Sequence, residues 1–455
     1  MYKKDYKYYF VVAAAVLFSL TACKKWVDVK PSLGVDQSTV FSNEQGFRDV
    51  LNAVYLQIGS KDMYGRDMTY GLLSVLGRSY DTTISNAISN IYYQGAQYNL
   101  QDPDVNSVAK NIWVTTYQSI GSLNNLLDNI DTYKSKFTGN NYNTIKGEAI
   151  GLRAFLHFEL LRLFAPSPAA GGLTALAIPY MIHFSPYAAA SGMTGEVLDN
   201  CIGDLKTSES LLSESDFTMS HFTIWATRGL LARVYLYKGD NTNASLYAKA
   251  LINSGKFPLA ANNSDLMFGK EQLFSLYVYQ NDIFPLYKSV LNATKPLGFT
   301  TLNQTALFVN GSGATTDWRK AFVDPTTGVA TGNTISPRKF YASSSPSPNV
   351  AAIPLIRMSE MYYIAAECAA NNNDMASATD LLDSIRFHRG VTKDLTPTIS
   401  SDSVTIEIRK EYQKEFLGEG QMFFYYKRKN LPFASLPYTK VPVVPGASYV
   451  FIKPE

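Results

Sequence analysis

Residues 147–168 read GEAIGLRAFLHFELLRLFAPSP, and their spacing decides the fold class. Ala149, Leu152, Leu156, Leu160 and Leu163 recur every three or four positions, the period that lines apolar side chains along one face of an α-helix. Pro166 and Pro168 end that helix, because proline lacks the amide hydrogen and its ring clashes with the preceding turn. The same period extends outward in both directions. Ile112, Tyr117, Ile120, Leu123, Leu126, Leu127 and Ile130 repeat it upstream, and Phe47, Leu51, Val54 and Tyr55 do so after Ser42 and Glu44 at a helix start. Downstream it predicts helices over 195–212, 222–238, 242–254, 357–371, 375–388 and 403–417. The chain is therefore expected to be mostly α.

Two of these regions read as copies of one unit. Ala232, Gly239, Asp240 and Ala244 correspond to Ala366, Asn373, Asp374 and Ala378 at a constant offset of 134. Small residues at a helix crossing let backbones approach, and Gly or Asn accepts the positive φ that ends a helix. That is the logic of a tetratricopeptide-like helical hairpin, and a plain pair of αα-hairpins accounts for the same residues almost as well. Between 257 and 352 the character changes to Asn, Gly, Ser, Thr and Pro, as in Asn310-Gly311-Ser312-Gly313 and Ser343-Ser344-Ser345-Pro346, with short apolar pieces such as Leu273–Tyr279 of strand type. Residues 60–105 are similarly irregular and rich in tyrosine. From Leu431 onward, Pro432, Pro437, Pro442 and Pro445 predict an extended tail laid over the core.

The N-terminus speaks to compartment. Lys3, Lys4 and Lys7 precede an apolar run from Phe10 to Leu20, too short to span a bilayer, which needs about 20 residues. Leu20-Thr21-Ala22-Cys23 follows and resembles a bacterial lipobox; in that resemblance residues 1–22 would be a lipoprotein signal peptide and Cys23 the acylated new N-terminus, the other reading being an ordinary signal peptide with an incidental cysteine. The remaining 433 residues carry a formal charge near +1, which leaves no electrostatic footprint for nucleic acid. Cys201 and Cys368 are too few for a disulfide framework and read as two buried thiols.

Catalytic constellations are not visible. Glu360 and Glu367 lie on one helix, and Glu411 and Glu415 are i,i+4 neighbours, whereas hydrolytic carboxylates flank a bond from opposite sides at roughly 5 Å or 6.5–9.5 Å. Arg357, Arg386 and Arg409 suggest ion pairs for them. His157, His183, His221 and His388 occur singly, without metal-ligand spacing, and His157 reads as a packed side chain. Gly311-Ser312-Gly313 lacks the lysine of a phosphate loop, and no cofactor is implied.

A series of segments stands in a fixed order along the chain: Cys23 to Pro31, Phe47 to Tyr55, Gly147-Glu148-Ala149 leading into Arg153 to Phe158, and Ala232 to Tyr237 with Gly239-Asp240. Arg357 to Glu367, Ile385-Arg386 with Arg389-Gly390, and Glu411, Glu415-Phe416, Glu419-Gly420 and Lys427-Arg428 complete the series. In this order the segments resemble the SusD/RagB family of nutrient-uptake outer-membrane lipoproteins. The resemblance implies a mostly α SusD-like fold with four tetratricopeptide-like hairpins and long irregular loops. It implies a SusC-like TonB-dependent outer-membrane barrel as partner, on which the lipoprotein sits as a lid facing the exterior. Its ligands are oligosaccharides or, in the RagB branch, peptides, and the residues leave both open beside a less favoured surface glycoside hydrolase. The Lys24-Lys25 pair departs from an acidic surface-export signal, and the C-terminus lacks a clear copy of the family's proline-rich end. We divide the mature chain at 220 into an N-terminal helical region, 23–220, and a C-terminal region, 221–455, with the loop-rich insert 257–352, both in one compact body. Sugar rings offer C–H faces to aromatic rings and hydroxyl edges to polar groups. On that basis the irregular stretches nominate Tyr80, Asp81, Tyr92, Tyr93 and Trp318 as ligand contacts.

Overall fold

Helices make up most of the described residues of this computed structural model, which are 37–80, 89–187, 189–278, 297–310, 316–323, 330–331, 334–335, 339, 352–396, 398–437 and 441–454. The expected signal peptide (residues 1–22), Cys23 and Asp81 lie outside the described residues. The longer helices are α1 (Glu44–Ile58), α2 (Leu72–Leu76), α3 (Asn90–Ala96), α4 (Pro103–Ile130), α5 (Asn141–Phe164), α6 (Thr194–Leu211), α7 (Ile224–Lys238), α8 (Asn241–Asn253), α9 (Met358–Asn371), α10 (Met375–His388), α11 (Ser401–Glu415) and α12 (Gln421–Arg428). The fold is mostly α, as the periodicity predicts. Residues 60–105, read as irregular, contain α2, α3 and the first turn of α4. That start is locally encoded: Asp102 accepts the Asp104 and Val105 amides and Pro103 occupies the first helical position.

The sequence repeat is a structural one. Gly239 (φ +92°) and Asn373 (φ +61°) both take the left-handed conformation that closes a helix, and Asp240 and Asp374 both cap the next helix, accepting the amides of Asn243 and Ser377. Ala232, Ala244, Ala366 and Ala378 are fully buried where the paired helices cross. The hairpins α7–α8 and α9–α10 then stack through α8 and α9, and Asn371 donates to Asn241 between the two equivalent turns at 3.1 Å.

Helix α5 packs against α4 and α6, and burial surrounds it rather than following one stripe. Beyond the predicted apolar face, Glu148, Arg153, His157, Glu159 and Arg162 are buried too. A helix covered on all sides loses its amphipathic signature. Close packing here depends on a glycine: a Cβ at Gly151 would lie 2.5 Å from the Phe222 ring. One hydrophobic cluster runs from Phe41 to Phe451, so residues on both sides of position 220 share a core.

Sheet is minor. β1 (Gln272–Tyr277) pairs antiparallel with β5 (Ala352–Arg357), with Gln272 opposite Arg357 and Tyr277 opposite Ala352, closing the base of the 257–352 insert. Inside the insert, β2 (Phe299–Thr300), β3 (Ala330–Thr331) and β4 (Thr334–Ile335) form a small sheet in the order β2-β4-β3. The tail crosses the core as expected: Phe433 stacks on Tyr449 at 4.6 Å, and the Phe451 amide donates to Leu163 O. Cys201 and Cys368 are buried and unpaired.

The carboxylates are built into packing. Glu360 takes a bidentate pair from Arg233, and Glu367 pairs with Arg428 and Lys429. Five buried carboxylates, Glu271, Asp317, Glu411, Glu415 and Glu419, interlock with five buried cations, Arg319, Lys339, Arg357, Arg389 and Lys414. Arg386 pairs with Asp383, whereas Arg409 has no ion pair among the described residues.

A smaller polar knot joins α1, α5 and the chain before α7. Tyr55 donates to Glu148, the Phe222 amide donates to the Tyr55 hydroxyl at 2.8 Å, and His221 Nδ1 meets Glu148 at 2.8 Å. The Glu148 hydrogen bond raises the imidazole pKa, opposed by partial burial; Asp216 also raises it and Arg48 lowers it. Protonated His221 thus favours the folded state below the ordinary histidine value, and that contribution disappears as pH rises through the raised one. An NMR titration should show the His221 midpoint dropping in Glu148→Gln; an unchanged midpoint would refute the pairing.

Candidate ligand-binding site

The stretch that decides the fold also fastens a loop. Downstream of α5, Pro179 to Tyr187 form an irregular loop, and side chains from α4 and α5 hold its backbone. Arg153 makes a bidentate pair with Asp204 at 2.7 and 2.8 Å and directs its remaining nitrogen, Nη1, to Ile182 O and Asn124 Oδ1, each at 3.1 Å. Asn124 donates to Met181 O and His183 O, and Tyr117 donates to Pro179 O. Asp128 accepts the Phe184 amide and meets His183 Nδ1.

His157 completes the fastening. Its Nδ1 lies 2.9 Å from Arg153 O and its Nε2 accepts the Met181 amide at 2.9 Å, which assigns the proton to Nδ1 and leaves Nε2 as the acceptor. Burial depresses its pKa to about 3, so the ring is neutral at physiological pH. Tyr180 stacks on it at 3.9 Å. The packed histidine expected from the sequence is therefore a loop anchor.

Between this loop and the outer face of α4 lies a crevice of about 600 Å³. Trp113, Tyr117, Gly121 and Asn125 lie along the helix side, and His183, Phe184 and Tyr187 along the loop side. Trp113 is braced edge-on by Phe164 at 4.8 Å. Phe184 is 57% exposed and Tyr187 80%, although aromatic side chains are usually covered. Leu173, Leu176, Ile182 and Met193 are exposed as well. At the rim, Gln118 Oε1 and Asn125 Oδ1 accept protein bonds, while among the described residues neither amide NH2 has a partner. The volume falls within the roughly 300–1,000 Å³ of small-molecule sites, which combine apolar walls with a few polar groups. The lining sets aromatic and aliphatic walls beside the side-chain amides of Gln118, Asn124 and Asn125, an arrangement that can hold a ligand.

The nominated residues that are described, Tyr80, Tyr92, Tyr93 and Trp318, lie elsewhere. Tyr80, Tyr92 and Tyr93 are brought together around Tyr70, Val75, Ala96, Met267, Leu297 and Val441, with Tyr80 buried and donating to Tyr70 O at 2.6 Å. Trp318 is half-buried in a separate cluster with Phe268, its Nε1 donating to His388 O at 2.8 Å. Among the described residues no group of three or more His, Cys, Asp or Glu could hold a metal ion, and no helix is long and apolar enough to cross a membrane. Sequence reading missed the crevice, yet a signal was present: residues 111–127 and 165–195 contain no Lys, Arg, Asp or Glu in a chain that is 17% charged.

Comparison with known proteins agrees with this architecture. A SusD-like protein of Formosa agariphila is 24% identical over 259 residues, 55% of this chain and 46% of that protein, so the match spans about half of that relative's length. A SusD superfamily protein of Bacteroides thetaiotaomicron superposes with TM-score 0.68 at 23% identity, covering 86% of this chain and 89% of its own. A SusD-like carbohydrate binding protein of Bacteroides vulgatus does so with TM-score 0.68 at 19% identity, covering 85% and 83%. These structural likenesses concern the fold. Residues 25–236 match a SusD-like family model described as starch-binding associating with outer membrane, residues 277–436 match the SusD family model, and the chain belongs to the SusD/RagB family.

Proposed function

We propose that this chain is a lipid-anchored outer-membrane protein that binds nutrient oligosaccharides and delivers them, as a lid, to a SusC-like TonB-dependent barrel. The observation that carries the reading is the aromatic crevice between α4 and the 179–187 loop on a SusD-family scaffold. Stacking faces and amide edges suit a sugar, and binding without transformation needs no acid–base pair. Acylation at Cys23 would tether the scaffold. Asp81, Tyr92, Tyr93 and Trp318 stay proposed as further contacts, with Tyr80 beneath the two tyrosines. Peptide cargo ranks second, because peptide capture leans on backbone hydrogen bonds and charged groups, and the described crevice lining carries no Lys, Arg, Asp or Glu.

Affinity purification of the tagged lipoprotein from detergent-solubilised outer membranes should recover a large barrel protein. Recovery of the lipoprotein alone would overturn the delivery mechanism. Incubation with polysaccharides should release no new reducing ends, and clear turnover would overturn the binding-only reading.

A further inference from the structure

The crevice is distinguished less by its aromatic rings than by the charges it leaves out. Its helix wall comes from residues 111–127 and its loop wall from 165–195, and neither stretch contains a Lys, Arg, Asp or Glu. Of the groups packed behind them, the Arg153 guanidinium is committed to Asp204, Asn124 and Ile182 O. Asp128, which meets His183 at the loop end, brings a carboxylate to that edge rather than a cation. A ligand carboxylate or sulfate entering here would give up water to a lining that, among the described residues, offers no Lys or Arg and whose His183 already faces Asp128, an unfavourable exchange for an ion. A hydroxyl asks less: the Gln118 and Asn125 amide NH2 groups can donate to it, and the rings of Trp113, Tyr117, Phe184 and Tyr187 can cover a C–H face.

We infer that the α4–loop crevice is a subsite for neutral oligosaccharides and discriminates against uronate-containing and sulfated glycans. The inference rests on the glycan-binding reading and narrows it to one charge class at one place. Selectivity of this kind comes from withholding a partner, so adding one should relax it.

Gly121 supplies a clean way to block the site. It lies within α4 on the crevice wall, and a Cβ built there would lie 3.9 Å from the Phe184 ring, in ordinary contact. Gly121→Ala should therefore fold normally, while Gly121→Phe fills the space. Tyr187→Ala removes a side chain that is 80% exposed and supports no core.

Isothermal titration of the intact mature protein with maltohexaose, cellohexaose, laminarihexaose and mannohexaose, against oligogalacturonate, a sulfated oligosaccharide and a charged peptide pool, tests this. A neutral hexasaccharide should bind, the acidic probes should not, and both Gly121→Phe and Tyr187→Ala should weaken binding about tenfold or more. Gln118→Lys, which places an ammonium at the rim, should gain measurable oligogalacturonate binding. Acidic probes binding the wild type as tightly as neutral ones would overturn the charge selectivity and leave glycan binding standing. Neutral binding untouched by both blocking variants would overturn the location alone. Binding of peptides only, or of no sugar, would overturn this inference together with the function beneath it. Urea denaturation of each variant separates loss of binding from loss of fold.

Discussion

Glu415→Ala is expected to destabilise the protein by about 3–5 kcal/mol, a large fraction of the roughly 5–15 kcal/mol that holds a typical domain folded. Glu415 is fully buried and accepts from three guanidinium groups: Arg319 at 3.1 Å, Arg357 at 2.8 Å, and Arg389 at 2.7 and 3.1 Å. Removing it does not return those cations to water; it leaves them buried with less compensation. The measurement is the urea midpoint and slope of the variant against wild type, and a shift within error would show that the network contributes little.

The same network makes a signed prediction for pH. Arg389, Arg357 and Arg319 hold the Glu415 pKa well below the carboxylate range despite burial, and Arg319 and Lys414 bring Glu411 down to about 2. The unfolded chain therefore binds more protons than the native one at mildly acid pH. Stability from these groups is fully present above the ordinary glutamate value and is lost as pH falls toward the depressed ones. Urea midpoints should drop steeply between about pH 5 and pH 2, and less steeply in Glu415→Ala.

Arg153→Ala is the second substitution expected to act strongly, on the site as well as on stability. It strands Asp204 without its bidentate partner and leaves Ile182 O and Asn124 Oδ1 each short of a donor. Leaving buried polar groups unsatisfied costs roughly 1–3 kcal/mol for each neutral group and more for charged ones, so a loss of about 2–4 kcal/mol is expected. Asp204 is partly exposed, which places the value toward the lower end. The loop wall should loosen. Hydrogen exchange at the Met181 amide, bonded to His157, and the Phe184 amide, bonded to Asp128, should accelerate, and oligosaccharide binding should weaken with it. Unchanged exchange at both amides would show that the loop holds itself.

The helical frame was legible because each helix carries its own signal. Apolar residues at three- and four-residue spacing, Asp240 and Asp374 as caps, and Gly239 and Asn373 as left-handed stops act within one or two turns, so the α7–α8 and α9–α10 hairpins could be read without knowing what they pack against. The early helices were harder. α2 has five residues and α3 seven, too short for a period to emerge, and both lie in a tyrosine-rich stretch that resembles loop.

The crevice was not legible as a site. Composition drew attention to Tyr80, Tyr92, Tyr93 and Trp318, since aromatic residues serve packing and ligand contact equally well. Nothing local distinguishes Tyr80, which is covered, from Tyr187, which is not. Nor does spacing show that Arg153 and His157 would be turned from an apolar helix onto a loop some thirty residues away.

Helix positions, the repeated hairpin, the family and the uncharged stretches at 111–127 and 165–195 all follow from the order of residues, because each is set by neighbours a few bonds apart. Partnership is different. That Glu411 and Glu415 meet Arg319, Arg357 and Arg389 in a dry network, and that Trp113 and Tyr187 line one crevice, depends on which helix faces meet across the core. A carboxylate on a helix reads the same whether water or a guanidinium will surround it, and only the packed chain settles which one does.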